Sequence, residues 1–219
     1  MADNRLLLAT NNAHKARELR MLLRHLPHAL LTPAELGLSL EVAEDGATYE
    51  ANALAKARAF ADASGLPALA DDSGIEVDAL GGRPGLHSAR YGGTGLTDEG
   101  RVALLLRELA DVPDGERTAR YRAVLAVVDP AHGSDVRAER TVEGWCEGSV
   151  ARSPDGTNGF GYDPVFFVPA LGVTMARLTD EEKAAISHRG NAARAIAPIL
   201  AAWPIAPGVP VVSDAEARP

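Results

Sequence analysis

Cysteine is almost missing from this chain. Cys146 stands alone among 219 residues, so no intramolecular disulfide and no cysteine-based zinc site can form, as expected of a reducing compartment. Long apolar runs are missing as well. None approaches the roughly 18 to 20 residues that a membrane span requires, and the N-terminus shows no basic region, apolar core and cleavage site in that order. A cytoplasmic location with no membrane partner is therefore expected. Aromatic residues make up only 5% of the chain, but 46% hydrophobic and 24% charged content suits one α/β-sized domain and excludes a disordered chain. Positive charge is in deficit. The net charge of −8 repels polyanions, which argues against a nucleic-acid polymer or an acidic membrane as partner. A small anionic ligand would need a metal ion or a local cluster of Lys and Arg. Lysine is scarcest of all: against 19 Arg there are three Lys, at positions 15, 56 and 183. Where Arg serves ordinary surface positions, a retained Lys points to a compact ammonium that meets phosphate as a point charge.

What is present divides into strands, helices and two glycine-rich loops. Arg5 to Ala9 reads as a buried strand, and Ala13 to Leu26 as a helix with Ala16, Leu19, Leu22, Leu23 and Leu26 on one face. Residues from Pro27 to Pro33 read as the turn that closes this unit. A second helix is expected from Thr48, its N-cap, to Ser64, with Gly65 as C-cap. Leu66 to Ala70 reads as a strand leading into Asp71-Asp72-Ser73-Gly74, and Ile75 to Leu80 as a further short strand. The first glycine-rich loop runs from Gly81 to Gly95. Thr97 to Leu109 predicts a third helix, and Tyr121 to Val128 with Val136 to Glu147 an antiparallel pair. The second glycine-rich loop covers Gly156 to Pro164, helices follow over Asp180 to Ser187 and Arg189 to Trp203, and Pro204 to Pro219 reads as a frayed tail.

Four places could carry chemistry. Thr10-Asn11-Asn12-Ala13-His14-Lys15 lies between a strand and a helix start, where free N–H groups and Lys15 would suit an anion; an ordinary N-cap beside a solvated lysine is the plainer reading. No Gly-Lys pair occurs, which sets aside the phosphate loop of the common ATPases. Asp71-Asp72 follows a strand, and since consecutive strand residues point to opposite faces, only one should face a given cleft. With Glu44 as a second carboxylate, such a residue could hold a hard ion such as Mg²⁺; a simple polar turn is the alternative. Gly159-Phe160-Gly161-Tyr162-Asp163-Pro164 interleaves aromatics with glycine, suiting either a planar ring or a tight turn with core aromatics. Ser187-His188-Arg189 offers a helix cap and two groups suited to an anion or a purine edge, or a surface pair without a role. Gly93, Glu99 and Arg107-Glu108-Leu109 also echo a Nudix box, but Val112 and Asp114 break it, and an amphipathic surface helix explains them better.

Five segments in one order, LATNNAHK, EDGATYEANALAKA, ADDSGIEVDALGGRPGLHSARYGG, GFGYDPVFFVP and LTDEEKAAISHRG, make the chain resemble the inosine triphosphate pyrophosphatase family, its bacterial branch in particular, from about Leu6 to Trp203. The resemblance implies an α/β fold: a single elongated domain with a central mixed β-sheet flanked by helices and a substrate cleft between two lobes, over residues 1–203. It implies hydrolysis of non-canonical purine nucleoside triphosphates to monophosphate and pyrophosphate, with Mg²⁺ as cofactor and a homodimer as the assembly, the loop Gly81 to Gly95 being the place to look for the interface. Thr10, Asn11, Asn12, Ala13, His14 and Lys15 then look like the triphosphate loop, Glu44 and Asp72 like the metal ligands, and Asp72 like the general base. Ser73, Phe160, Gly161, Tyr162, Asp163, Lys183, His188 and Arg189 look like nucleotide contacts, with Lys56 and Asp71 in support. Two positions depart from the family pattern: His14 stands where Gly is frequent, and Ala51 stands where an acid is usual. Glu50, one residue away on another helix face, does not stand in for that acid. A nucleotide sensor without turnover, and a pyrophosphatase of the Maf-like group acting on a pyrimidine or methylated base, are the competing expectations.

Overall fold

In the computed structural model, the residues described are 4–93, 95–130 and 137–203. The apolar run near the N-terminus forms β1 (Arg5–Leu8), and the periodic segment after it forms α1 (Ala13–Leu23), ending a turn earlier than its pattern suggested. β2 (Ala29–Leu31) follows where the sequence reads as a turn; three residues at a sheet edge are too few to show a period. α2 (Tyr49–Ser64) starts at its expected cap, Thr48 accepting from the Ala51 N–H, and stops at Gly65 in the left-handed conformation.

β3 (Ala68–Val77) is one unbroken strand. The expected break at Asp71 to Gly74 does not occur: each of these residues pairs with β4 (Thr118–Val128), from Asp71 opposite Leu125 to Gly74 opposite Arg122. Continuous ladder bonding overrides the polar turn composition there. α3 (Asp98–Glu108) buries Val102 and Leu105 and turns Glu99 and Arg107 outward, so it is the amphipathic surface helix rather than a Nudix box. β5 (Glu139–Val150) completes the antiparallel pair; Val136, where that strand was expected to begin, lies outside the described residues. β6 (Phe166–Val168) and β7 (Val173–Thr174), too short for a sequence signal, precede α4 (Asp180–Ile186) and α5 (His188–Ala201). The expected tail from Pro204 to Pro219 also lies outside the described residues.

The sheet runs β2-β1-β3-β4-β5-β6-β7, parallel among β2, β1 and β3 and antiparallel onward, as a mixed sheet. Alternating residues divide one half of it between two cores. Leu6, Leu8, Leu69 and Leu125 pack on α1 and α5, whereas Leu7, Ala68, Ala70 and Val124 pack on α2. A third core joins the far ends of β3 and β4, through Ile75, Val77 and Tyr121, to β6 and α3. These cores define two lobes, and β3 crosses between them at Asp71 to Gly74, where it is polar. α5 seats directly against β5. A Cβ on Gly144 would lie 2.2 Å from the His188 carbonyl oxygen and 2.3 Å from the Ala192 nitrogen, so only glycine lets the helix start at this depth.

Candidate active site

The crossing point is also where the charged residues gather. β1 ends in a loop held by its own side chains: Thr10 Oγ1 accepts from the Asn12 N–H at 3.1 Å, Asn11 donates to the Leu40 carbonyl, and Asn12 Oδ1 caps α1 by accepting from His14 and Lys15. The N–H groups of His14 and Lys15 are thus taken, and the free helix start expected there is only partly available. Ala13 opens the helix and lines a groove with Thr10 and Asn11. What the loop turns inward is the Lys15 ammonium, 3.0 Å from Asp71 Oδ2.

Asp71 and Asp72 do point to opposite faces of β3. Asp71 meets Lys15, Arg189 at 3.0 Å and the Ser73 hydroxyl. Burial pushes its carboxyl up, but the charges of Arg189, Lys15 and Lys56 outweigh burial and hold it well below the carboxylate range. Asp72 instead accepts from Asn52 at 3.1 Å and from Lys56 at 3.2 Å, and Lys56 reaches on to Glu44 at 2.5 Å and to the Asp71 carbonyl at 2.9 Å. Burial dominates at Asp72 and raises its pKa despite Lys56, so the neighbouring carboxyls are driven apart. Glu44, although burial opposes it, is held low by Lys56. Glu50 does not take part: it accepts from Thr141 on β5.

Beyond Asp71 the buried network continues. Arg189 binds Glu18 as well as Asp71 and Ser73; Lys183 joins Glu18 at 2.6 Å to Asp163 at 2.5 Å, and Asp163 also accepts from the Phe160 N–H and the Tyr121 hydroxyl. Three cations, Lys15, Lys183 and Arg189, are so matched by Asp71, Glu18 and Asp163. His188 and Arg189 are buried at the start of α5, capped by Ser187, and do not form an idle surface pair. The His188 ring stacks on Tyr121 at 4.5 Å, and among the described residues its Nδ1 has no partner. Burial, reinforced by Arg189, drives its pKa well below the usual histidine value, so it is neutral. Gly161 N–H is anchored on Asp98, and the Tyr162 hydroxyl on the Ser88 carbonyl.

The two faces of β3 open into two cavities. One is lined by Tyr121, Phe160, Asp163, Lys183, His188 and Arg189, the other by Thr10, Asn11, Glu44, Lys56 and Asp72, and they meet at Asn12, Lys15 and Ser73. Every expected site residue except Ala13 therefore lies on or directly beside one continuous cleft. Glu18, Asn52, Asp98 and Tyr121 were missed. Glu18 and Asn52 had a usable signal, being three and four residues from Lys15 and Lys56 on the same helix faces. Among the described residues no three His, Cys, Asp or Glu side chains form a metal cluster. Glu44 and Asp72 still supply hard carboxylate oxygens, and with phosphate oxygens and water as further ligands that donor set fits Mg²⁺.

Fold and cleft together define an α/β protein with a cleft at the crossing of its sheet, aromatic and cationic at one end and carboxylate-lined at the other. A model of the Ham1 family matches residues 6–199, and the chain belongs to that family. It is 50% identical to the dITP/XTP pyrophosphatase of Geobacter sulfurreducens over 188 residues, covering 86% of this chain and 92% of that one, and 46% identical to its counterpart in Escherichia coli K12, with 93% of that chain covered. Among solved structures it is similar to a HAM1 protein from Coxiella burnetii, with a TM-score of 0.79 and 40% identity over 90% of this chain and 98% of that one. A nucleoside-triphosphatase, dITP/XTP pyrophosphatase, from Mycobacterium abscessus matches with a TM-score of 0.68 and 43% identity, covering 92% and 100%. The resemblance read from the five motifs is borne out.

Proposed function

We propose that the chain hydrolyses non-canonical purine nucleoside triphosphates, dITP, ITP and XTP, to the monophosphate and pyrophosphate, clearing them from the nucleotide pool. The observation that carries this is the continuous cleft with a stacking and donor-rich end and a carboxylate end, in a chain half identical to proteins of that name. The base lies by Phe160 in the first cavity, and the phosphates pass Lys15 and Ser73 toward Asp72.

Asp72 is the base of the reaction. Asp71 is locked between two cations, whereas Asp72 is bound by one ammonium and one amide and its raised pKa favours taking a proton. Water attacks the α-phosphorus, its proton goes to Asp72, and the bond to the bridging oxygen breaks as pyrophosphate leaves. Lys15 and Lys56 hold charge against the phosphates, and Asn52 orients Asp72. Glu44 and Asp72 share the Lys56 ammonium, and Arg90 stands 3.7 Å from Glu44. Glu44 and Asp72 would hold Mg²⁺, which would supply positive charge against the phosphates.

Base selection follows from donors. Hypoxanthine presents an acceptor at O6 where adenine presents an amino group. Lys183 and Arg189 can only donate, so adenine would leave a donor facing a donor, at about 1 to 3 kcal/mol for each buried group left unpaired. His188 is neutral and can serve either way. Pyrophosphate release from ITP, XTP, ATP and dTTP in the presence of Mg²⁺ tests the reading. Release from ITP and XTP alone is expected; turnover of dTTP would favour the Maf-like alternative, and tight binding without product a sensor. The homodimer belongs to the same reading and is checked by light scattering. No described helix is long and apolar enough to cross a membrane.

A further inference from the structure

The His14 ring lies on the Phe160 ring, their centroids 5.2 Å apart and their planes 20° from parallel. The two come from opposite lobes. His14 is the second residue of α1, whereas Phe160 sits in the loop before β6. Phe160 lines the inner cavity with Lys183 and Arg189, and also lines a neighbouring groove with His14, Val102 and Leu106, so its ring is the wall between them. On that wall, Lys183 Nζ and the Arg189 guanidinium carbon stand 5.1 and 5.6 Å from the ring centroid.

Both rings stand on tied backbone. Gly159 and Gly161, with φ of +78° and +63°, flank Phe160, and the tie between its N–H and Asp163 fixes the backbone without fixing the ring. His14 is set by α1: its N–H is bonded to Asn12 at 2.9 Å, and the next residue, Lys15, reaches Asp71. One helix start thus carries the phosphate-facing lysine and the brace of the aromatic wall.

We propose that His14 is a positioning residue that holds Phe160 as the platform for the base, so that the phosphate loop presets the base site from across the cleft. This rests on the nucleotide reading above. It gives the His14 ring a role other than the place in the triphosphate loop that the resemblance implies.

His14→Ala is expected to raise KM for ITP by about two- to tenfold, the worth of one aromatic pair, while kcat changes by less than about twofold. His14→Phe, which keeps a stacking ring, restores KM. In a Phe160→Ala background, His14→Ala adds nothing further, because the partner is gone. Inhibition by tripolyphosphate, which has no base, is unchanged by His14→Ala. An unaltered KM, a failure of His14→Phe to restore it, or tripolyphosphate inhibition weakened by the same factor would each overturn the proposal, the last by making His14 a phosphate ligand. Wild-type protein that turns over no nucleotide would overturn the nucleotide reading itself, and is told apart by the control.

Discussion

Replacing Glu18 by Gln removes a carboxylate that bridges Lys183 at 2.6 Å and Arg189 at 2.5 Å, with its side chain only 13% exposed. Removing one partner of a buried ion pair costs about 3 to 5 kcal/mol. Here each cation keeps another carboxylate, Lys183 its Asp163 and Arg189 its Asp71, so the expected loss is smaller, about 2 to 3 kcal/mol. For a domain of this size that lowers Tm by about 4 to 12 °C. The pH dependence has a definite sign. Burial pushes the Glu18 carboxyl up, but Arg189 and Lys183 outweigh it and hold its pKa below the ordinary value. A depressed folded pKa gives stability that is fully present above the unfolded value of about 4.3 and is lost as pH falls through the lower folded value. Urea unfolding of both proteins from neutral pH down to about pH 3 should therefore show a gap that is full near neutrality and closes below about pH 4. A gap under about 1 kcal/mol at neutral pH, or one that does not change with pH, would mean that Glu18 does not hold these cations as an ionised carboxylate.

Three further outcomes follow from packing and charge. Gly144→Ala forces a Cβ against the backbone of His188 and Ala192, and should cost about 1 to 3 kcal/mol in urea unfolding and raise KM, because α5 carries both His188 and Arg189. Lys56→Met leaves Glu44 and Asp72 without the ammonium between them and should lower kcat/KM by at least about 100-fold in steady-state assays. Leu105→Ala opens a hole in the core under α3 and should cost about 2 to 5 kcal/mol by thermal or urea unfolding, while leaving kcat of the folded protein near wild type, since Leu105 lines neither cavity of the cleft.

Much of the fold was legible because its long elements carry strong periods and caps: Thr48 and Gly65 bound α2 as their chemistry suggests, and β1, β4 and β5 are apolar or alternating. The errors have two causes. β2, β6 and β7 are two or three residues long, and β3 runs through a polar stretch whose strand character comes from pairing with β4 rather than from its own residues. In the site, scarcity singled out Lys15, Lys56 and Lys183, and all three enter the cleft. Local sequence did not indicate how completely those cations are matched by carboxylates. That matching comes from Asp71 for Lys15, Glu44 and Asp72 for Lys56, and Glu18 and Asp163 for Lys183, partners that lie far from them in the chain and meet them only after folding, apart from Glu18 beside Lys15 in α1.

Hydrolysis of ITP in ¹⁸O-labelled water, with both products weighed, shows whether water activated at Asp72 attacks the α-phosphorus. One labelled oxygen in IMP and none in pyrophosphate is expected, with the reaction lost in Asp72→Asn. Label in pyrophosphate or orthophosphate, or undiminished turnover by Asp72→Asn, would contradict that mechanism.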